Sequence, residues 1–305
     1  MAYHDPFVVS PDWHHWIVWY FFLGGIAAGS YALACLVRLV GTEADRRAVR
    51  VADYIATPII AVCGVMLIVD LGRPERFWHM MIQSETFWPM FKWWSPMSAG
   101  SWGLSTFGAF AGLSFAVALV EDGWFGLGRF RRIAGWLTRG IRGRLMALGG
   151  FVSACYLGSY TGSLLNASNQ PIWARSTWLS PLFLASSAST GAAAMVVLIR
   201  WRLRSTPHEV VERLERFDRF AIVLELVALV GFAASLGGLA GPALFRWPGV
   251  LIPAFVVPVG LLLPLAFGRI PSRWLPWATP LMVLVAGFLL RYAVVYLPET
   301  FLAHL

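Results

Sequence analysis

Eight apolar stretches, each about as long as a lipid bilayer is thick, punctuate this sequence of 305 residues. They cover residues 17–39, 52–69, 98–120, 145–165, 182–199, 220–236, 250–267 and 277–297. A hydrocarbon core of ~30 Å is crossed by ~20 predominantly apolar residues in helical form. Within lipid every backbone amide must find its partner inside the segment, so the stretches are expected to be helices rather than strands. Composition points the same way: 58% of residues are hydrophobic and 13% charged, against roughly 25% charged in a soluble domain. The expectation is an all-α polytopic membrane protein of eight transmembrane helices. They would form two four-helix bundles, one over 17–165 and one over 182–297, within a single domain spanning 1–305.

Arginine placement sets the expected orientation. Of the 24 Lys and Arg residues, 18 fall in odd-numbered connections, five in even-numbered ones, and Arg291 lies inside the last stretch. Basic residues collect in cytoplasmic loops. Hence the Arg-rich connections are expected in the cytoplasm of a bacterial inner membrane, with both termini outside it. The formal charge of +8 is then topological, and nucleic acid is not an expected partner. The start of the chain lacks a basic n-region and leads into a full-length span, which does not fit a cleavable signal peptide. Cys35, Cys63 and Cys155 each sit in an apolar run, without metal or disulfide spacing.

Redox chemistry on a cofactor held by this chain has little support. A transmembrane haem takes axial ligands such as His inside the bundle, and His4, His14, His15, His79, His208 and His304 all lie outside mid-span. No nucleotide-binding or metalloprotease motif is present. A polar set does gather at the outward ends of the first four stretches. His14, His15 and Tyr20 open the first, and Asp70 and Arg73 close the second. Ser98 opens the third, and Tyr160 and Asn166 close the fourth. Alternating direction puts all of them near one membrane face, where polar groups are costly and usually functional. Such a pocket, wet at one end and aromatic along its walls, suits the head group of an amphipathic lipid. The connection over 70–97 carries Phe77, Trp78, Phe87, Trp88, Phe91, Trp93 and Trp94. It reads either as an interfacial aromatic belt or as a surface that docks another subunit. Small-residue spacings at Gly25/Gly29, Gly108/Gly112, Gly158/Gly162 and Gly237/Gly241 permit close helix contact. Three of the four fall in the first half, predicting a tight first bundle.

These residues carry a resemblance. The run Asp70-Leu71-Gly72-Arg73-Pro74-Glu75-Arg76-Phe77, followed by Ser95-Pro96-Met97-Ser98-Ala99-Gly100-Ser101-Trp102, resembles the junction of spans two and three in the membrane subunits of the polysulfide reductase (NrfD-like) family. Trp13, the run Tyr20-Phe21-Phe22-Leu23-Gly24-Gly25-Ile26-Ala27-Ala28-Gly29 and the segment Tyr160-Thr161-Gly162-Ser163-Leu164-Leu165-Asn166 resemble it too. Motif detail covers about residues 13–170; the second half matches in span count and topology. The resemblance implies a haem-free, metal-free quinone-binding anchor. It would exchange electrons between membrane menaquinone or ubiquinone and a multi-cluster, ferredoxin-like iron–sulfur subunit, often joined to a molybdopterin catalytic subunit. By motif position it implies Tyr20, with His14 or His15 nearby, and Tyr160 as quinone neighbours. Asp70 and Arg73 carry over as motif residues, for proton exchange or as a structural pair.

Two charges stand apart. Glu225 enters the sixth stretch by about five residues and Arg291 the eighth by about fourteen, a depth difference of roughly 14 Å. A direct salt bridge is not expected. The two could form a proton path through spans five to eight. The favoured expectation is plainer: a snorkelling Arg291 and a locally paired Glu225. Two other functions remain open, a secondary transporter, for which Pro253, Pro258 and Pro264 could break a helix, and a scaffold that binds no quinone.

Overall fold

The computed structural model describes residues 15–202, 207–267 and 275–302. Among them the regular structure is helical, apart from one isolated bridge between Ile82 and Pro89. Its helices are α1 (His15–Val40), α2 (Glu43–Val69), α3 (Pro96–Asp122), α4 (Arg131–Thr138), α5 (Gly140–Asn166), α6 (Pro171–Ala174), α7 (Leu179–Arg202), α8 (His208–Leu236), α9 (Ala240–Phe245), α10 (Leu263–Phe267) and α11 (Leu275–Leu302). A π-helical stretch, Ile252–Leu262, precedes α10.

Six helical runs among the described residues are long and apolar enough to cross a membrane: His15–Val40, Arg50–Val69, Pro96–Asp122, Leu179–Arg202, His208–Phe245 and Leu275–Pro298. The expected fourth and seventh spans depart from this pattern. The fourth is α5, which at 27 residues is about 40 Å long; its Gly, Ser, Thr and Tyr residues dilute its hydropathy. The seventh is the shorter apolar run Ile252–Phe267, with Pro253 and Pro258 in its π-helical part. Proline removes a backbone donor and clashes with the preceding turn, and the wider π turn accommodates it.

Local chemistry explains several helix ends. Thr42 caps α2 in a reciprocal box: its hydroxyl accepts from the Asp45 amide, and the Asp45 carboxylate accepts from the Thr42 amide. Ser95 caps α3 ahead of Pro96, and Gly123, at φ 73°, ends it in the left-handed region. Both α2 and α8 begin well before their apolar stretches. Arg46, Arg47, Arg50, Arg213, Arg216 and Arg219 therefore lie on helices, not in the loops the charge pattern suggested.

Side-chain pairs fix the packing directions. Arg38 bonds Asp53 and the Cys63 thiol faces the Tyr20 carbonyl, so α1 and α2 are antiparallel. Tyr54 bonds Asp122, which sets α3 against α2. Gly100, Gly103 and Gly149 face Tyr160, Tyr156 and Phe110, which sets α5 against α3. Arg200 with Glu215 and Ser189 with Glu225 pair α7 with α8, and Trp19 with Phe288 pairs α1 with α11. The pairs Arg38–Asp53 and Arg200–Glu215 are each fifteen residues apart. One device thus closes the same end of α1/α2 and of α7/α8.

Helices α1 and α7 form the centre. A Cβ on Gly29 would lie 1.7 Å from the Ser187 carbonyl oxygen, and one on Gly191 would lie 2.2 Å from the Ser30 nitrogen. These two backbones can cross only because both positions lack a side chain. Gly158 and Gly162 also face α7, at Leu184 and Leu179, whereas a Cβ on Gly108 or Gly112 would meet nothing within 4 Å. The spaced glycines expected to tighten the first bundle act differently: Gly25, Gly29, Gly158 and Gly162 join it to α7. Outward, Val62, Val65 and Val69 on α2 and Val223, Val227 and Val230 on α8 are exposed, as a lipid-facing surface requires.

Candidate functional site

The antiparallel packing brings the start of α1, the end of α2, the start of α3 and the end of α5 to one end of the molecule. There the Tyr160 hydroxyl donates to the Pro96 carbonyl at 2.7 Å. Its ring stacks on Tyr156, with centroids 5.8 Å apart. The space for that ring comes from Gly100, where a Cβ would sit 2.0 Å from the Tyr160 hydroxyl oxygen. Tyr20 is buried on α1, with its carbonyl facing the Cys63 thiol. A phenol that donates to a carbonyl keeps its lone pairs as acceptors. The Tyr160 oxygen can therefore accept from a further donor without breaking its bond to Pro96.

Other expected members are placed differently. His15 turns to α11, where its Nδ1 meets the Tyr296 hydroxyl at 2.9 Å; His14 lies outside the described residues. The buried Asn166 Oδ1 meets no hydrogen-bond donor among the described residues. Six residues further along α5, its side chain leaves the helix about 120° around from Tyr160. Ser98 is buried and accepts from the Lys92 amide at 3.1 Å, which fastens the aromatic connection to α3. Asp70 caps the end of α2, and Arg73 is exposed without an ion pair among the described residues. Sequence reasoning thus collected more residues at this end than the fold joins: Tyr160 packs with Tyr156 under the Pro96 carbonyl, while His15 and Asn166 point elsewhere.

Deeper in the molecule, Arg291 is 1% exposed and Glu225 2% exposed. Arg291 donates from Nε to the Phe21 carbonyl at 3.0 Å and from Nη1 to Ser186 Oγ at 3.0 Å and the Gly287 carbonyl at 2.8 Å. Its Nη2 reaches Ser187 Oγ at 3.2 Å. Ser189 donates to the Glu225 carboxylate at 2.7 Å. The snorkelling reading of Arg291 is therefore corrected. Its guanidinium is held inward by three helices, because a fork of five donors can satisfy carbonyls and hydroxyls on several sides at once. No direct salt bridge joins Arg291 to Glu225, as the depth argument expected, yet both charges anchor on the serines of α7. The run Ser186-Ser187-Ala188-Ser189-Thr190 was the available signal, and hydropathy alone passed over it.

A third polar group also escaped sequence reasoning. Tyr31 meets Ser114 at 2.7 Å, and Arg38 reaches Ser114 at 3.5 Å and bonds Asp53. The group lies at the Arg-rich end and borders a cavity of about 800 Å³. No cluster of metal-ligating side chains occurs among the described residues.

The polysulphide reductase NrfD family model matches residues 8–303. The chain belongs to that family. Among its relatives, the C-chain of polysulfide reductase from Wolinella succinogenes is 28% identical, across 95% of both sequences. Protein NrfD of Escherichia coli is 30% identical over 74% of this chain and 71% of its own length. The C-subunit of selenate reductase from Mesobacillus selenatarsenatis is 27% identical over 37% of this chain and 23% of its own length. Membership extends beyond the motif-bearing first half to nearly the whole sequence. This NrfD-family protein is a multi-pass membrane protein of the kind found as subunits of reductase complexes.

Proposed function

We propose that the chain is the quinone-reactive membrane subunit of a bacterial respiratory oxidoreductase complex. The observation that carries this reading is the junction of Tyr156 and Tyr160 beneath the Pro96 carbonyl, where four helix ends meet. Tyr160 already donates to Pro96, so its oxygen is set to accept from the hydroxyl of a reduced quinol. Oxidation of that quinol to menaquinone or ubiquinone releases two protons and two electrons. The electrons would pass to a multi-cluster iron–sulfur subunit, itself joined to a molybdopterin subunit. Asp70, at the wet end of α2, would carry protons outward.

The aromatic connection supplies the docking surface in this reading. Phe87, Trp88, Phe91, Trp93 and Trp94 are all exposed, and an apolar patch of that kind marks an interface. The topology proposed with it counts α5 and Ile252–Phe267 as spans, making eight in two four-helix halves. The Arg-rich ends would face the cytoplasm of the inner membrane and both termini the outside. The chain would carry no haem.

A second reading, proton translocation, rests on Glu225 and Arg291, which are joined through the serines of α7. Transport of a solute has less support: the π-helical break carries no polar side chain. The test is purification of the intact complex with its lipids, followed by Tyr160→Phe. Retained subunits with quinol oxidation lowered at least about tenfold, a typical cost of a site hydrogen bond, would support the site. Unchanged quinol kinetics would refute it.

A further inference from the structure

Between α3 and α5 the chain makes an elbow unlike the other connections. Residues 123–144 hold six arginines, Arg129, Arg131, Arg132, Arg139, Arg142 and Arg144, and no Asp or Glu. The nearest acids, Glu121 and Asp122, are already taken by Arg50. None of the six makes an ion pair among the described residues. Left-handed backbone at Gly123, Phe125, Gly126 and Gly140 folds the segment sharply back on itself. As a result α4 sits in the elbow between the end of α3 and the start of α5.

Two cavities open there and share Arg139. One, of about 440 Å³, is lined by Arg131, Arg132, Gly135, Trp136, Arg139 and Arg142. The other is the cavity of about 800 Å³ beside Tyr31, where Arg144 joins Arg38 and Arg50 and the carboxylates of Asp53 and Glu121 that those two arginines neutralise. Arg142 lies over the Trp136 ring at 4.1 Å, which holds its guanidinium in place. Beside these cations Trp124, Phe125, Ile133, Trp136 and Ile141 are exposed. In water, so many large exposed apolar side chains in one elbow would be unfavourable, and the clustered arginines would repel one another. At a bilayer surface the rings enter the acyl boundary while the cations meet phosphates.

We propose that this elbow is a binding site for the phosphate head group of an anionic phospholipid. Guanidinium forks bind phosphate oxygens bidentately, and basic pockets beside transmembrane helices favour anionic head groups. Topology alone asks only for positive charge in a connection. It does not ask for four arginines around one cavity, one of them stacked on an indole, and the proposal is independent of the quinone reading.

The test uses the full chain, purified in a neutral detergent with its partner subunits. Short-chain phosphatidylglycerol, phosphatidylcholine and inorganic phosphate are titrated separately, and the melting temperature and native mass spectra are read. Phosphatidylglycerol should bind and raise the melting temperature, with binding weakening as salt is added. At about 1 kcal/mol per arginine, replacing Arg132, Arg139 and Arg142 with Gln should weaken phosphatidylglycerol roughly 100-fold. The variant keeps three arginines in the elbow to preserve topology. Should it fail to fold, Arg132→Gln alone and the lipid selectivity of the unaltered protein still decide the matter. Equal binding of phosphatidylglycerol and phosphatidylcholine would overturn the proposal. So would an equal effect of inorganic phosphate, which would make this a soluble-anion site. Protection of the elbow by an acidic partner protein, with no lipid effect, would overturn it as well.

Discussion

Replacing Arg291 with Met keeps much of the side-chain length and removes its donors. Four hydrogen bonds are lost, and three of them cross between helices, to Phe21, Ser186 and Ser187. Interhelical hydrogen bonds in membranes are worth about 0.6 kcal/mol on average, so the bonds alone amount to roughly 2 kcal/mol. Glu225 then loses the positive charge that faces it, and an uncompensated buried charge pushes the loss toward ~3–5 kcal/mol. Arg291→Met should therefore destabilise the protein by about 2–4 kcal/mol. Arg291→Lys should fall in between, because an ammonium keeps the charge but lacks the fork that reaches three helices. The assay is reversible unfolding in mixed detergent, followed by tryptophan fluorescence, for Arg291→Met, Glu225→Gln and the double variant. If α7 couples the two charges, the double variant loses less than the sum of the single ones by at least about 0.5 kcal/mol. Additivity within about 0.3 kcal/mol, or a loss for Arg291→Met below about 0.5 kcal/mol, would refute the reasoning.

Gly29→Ala should abolish most folded protein, since its Cβ would fall 1.7 Å from backbone that cannot move aside; Gly108→Ala, facing open space, should stay within about 0.5 kcal/mol of the parent, with detergent-soluble yield and melting as readouts. Gly100→Ala should push the Tyr160 ring off the Pro96 carbonyl and lower quinol oxidation as Tyr160→Phe does, while the subunits still co-purify. Partial burial would raise the pKa of Asp45, but bonds from Thr42 and Arg213 outweigh it and hold the carboxyl below the usual range. A depressed carboxyl contributes stability above its unfolded pKa of about 3.9 and loses it as pH falls through the folded value. The melting advantage of the parent over Asp45→Asn should accordingly be full at pH 7 and shrink below about pH 4; an advantage that does not shrink on acidification would contradict this.

The sequence by itself determined the helices and their alternation. Apolar stretches lie within helical runs: 17–39 inside α1, 98–120 inside α3, 145–165 inside α5. Lipid admits little else, because an unpaired amide there costs several kcal/mol. Alternation in turn placed Tyr20, Ser98 and Tyr160 at one end. The tertiary structure alone decided which polar groups meet. His15 and Tyr296 are 281 residues apart, and Arg291 and the Phe21 carbonyl 270. Such pairs depend on how each helix is rotated and crossed, and hydropathy carries no such signal for a helix that is apolar on every face. Rotation was set instead by glycines, whose missing side chains let α1 and α7 touch. The tertiary packing encloses an arginine expected at the surface: Arg291 is 1% exposed.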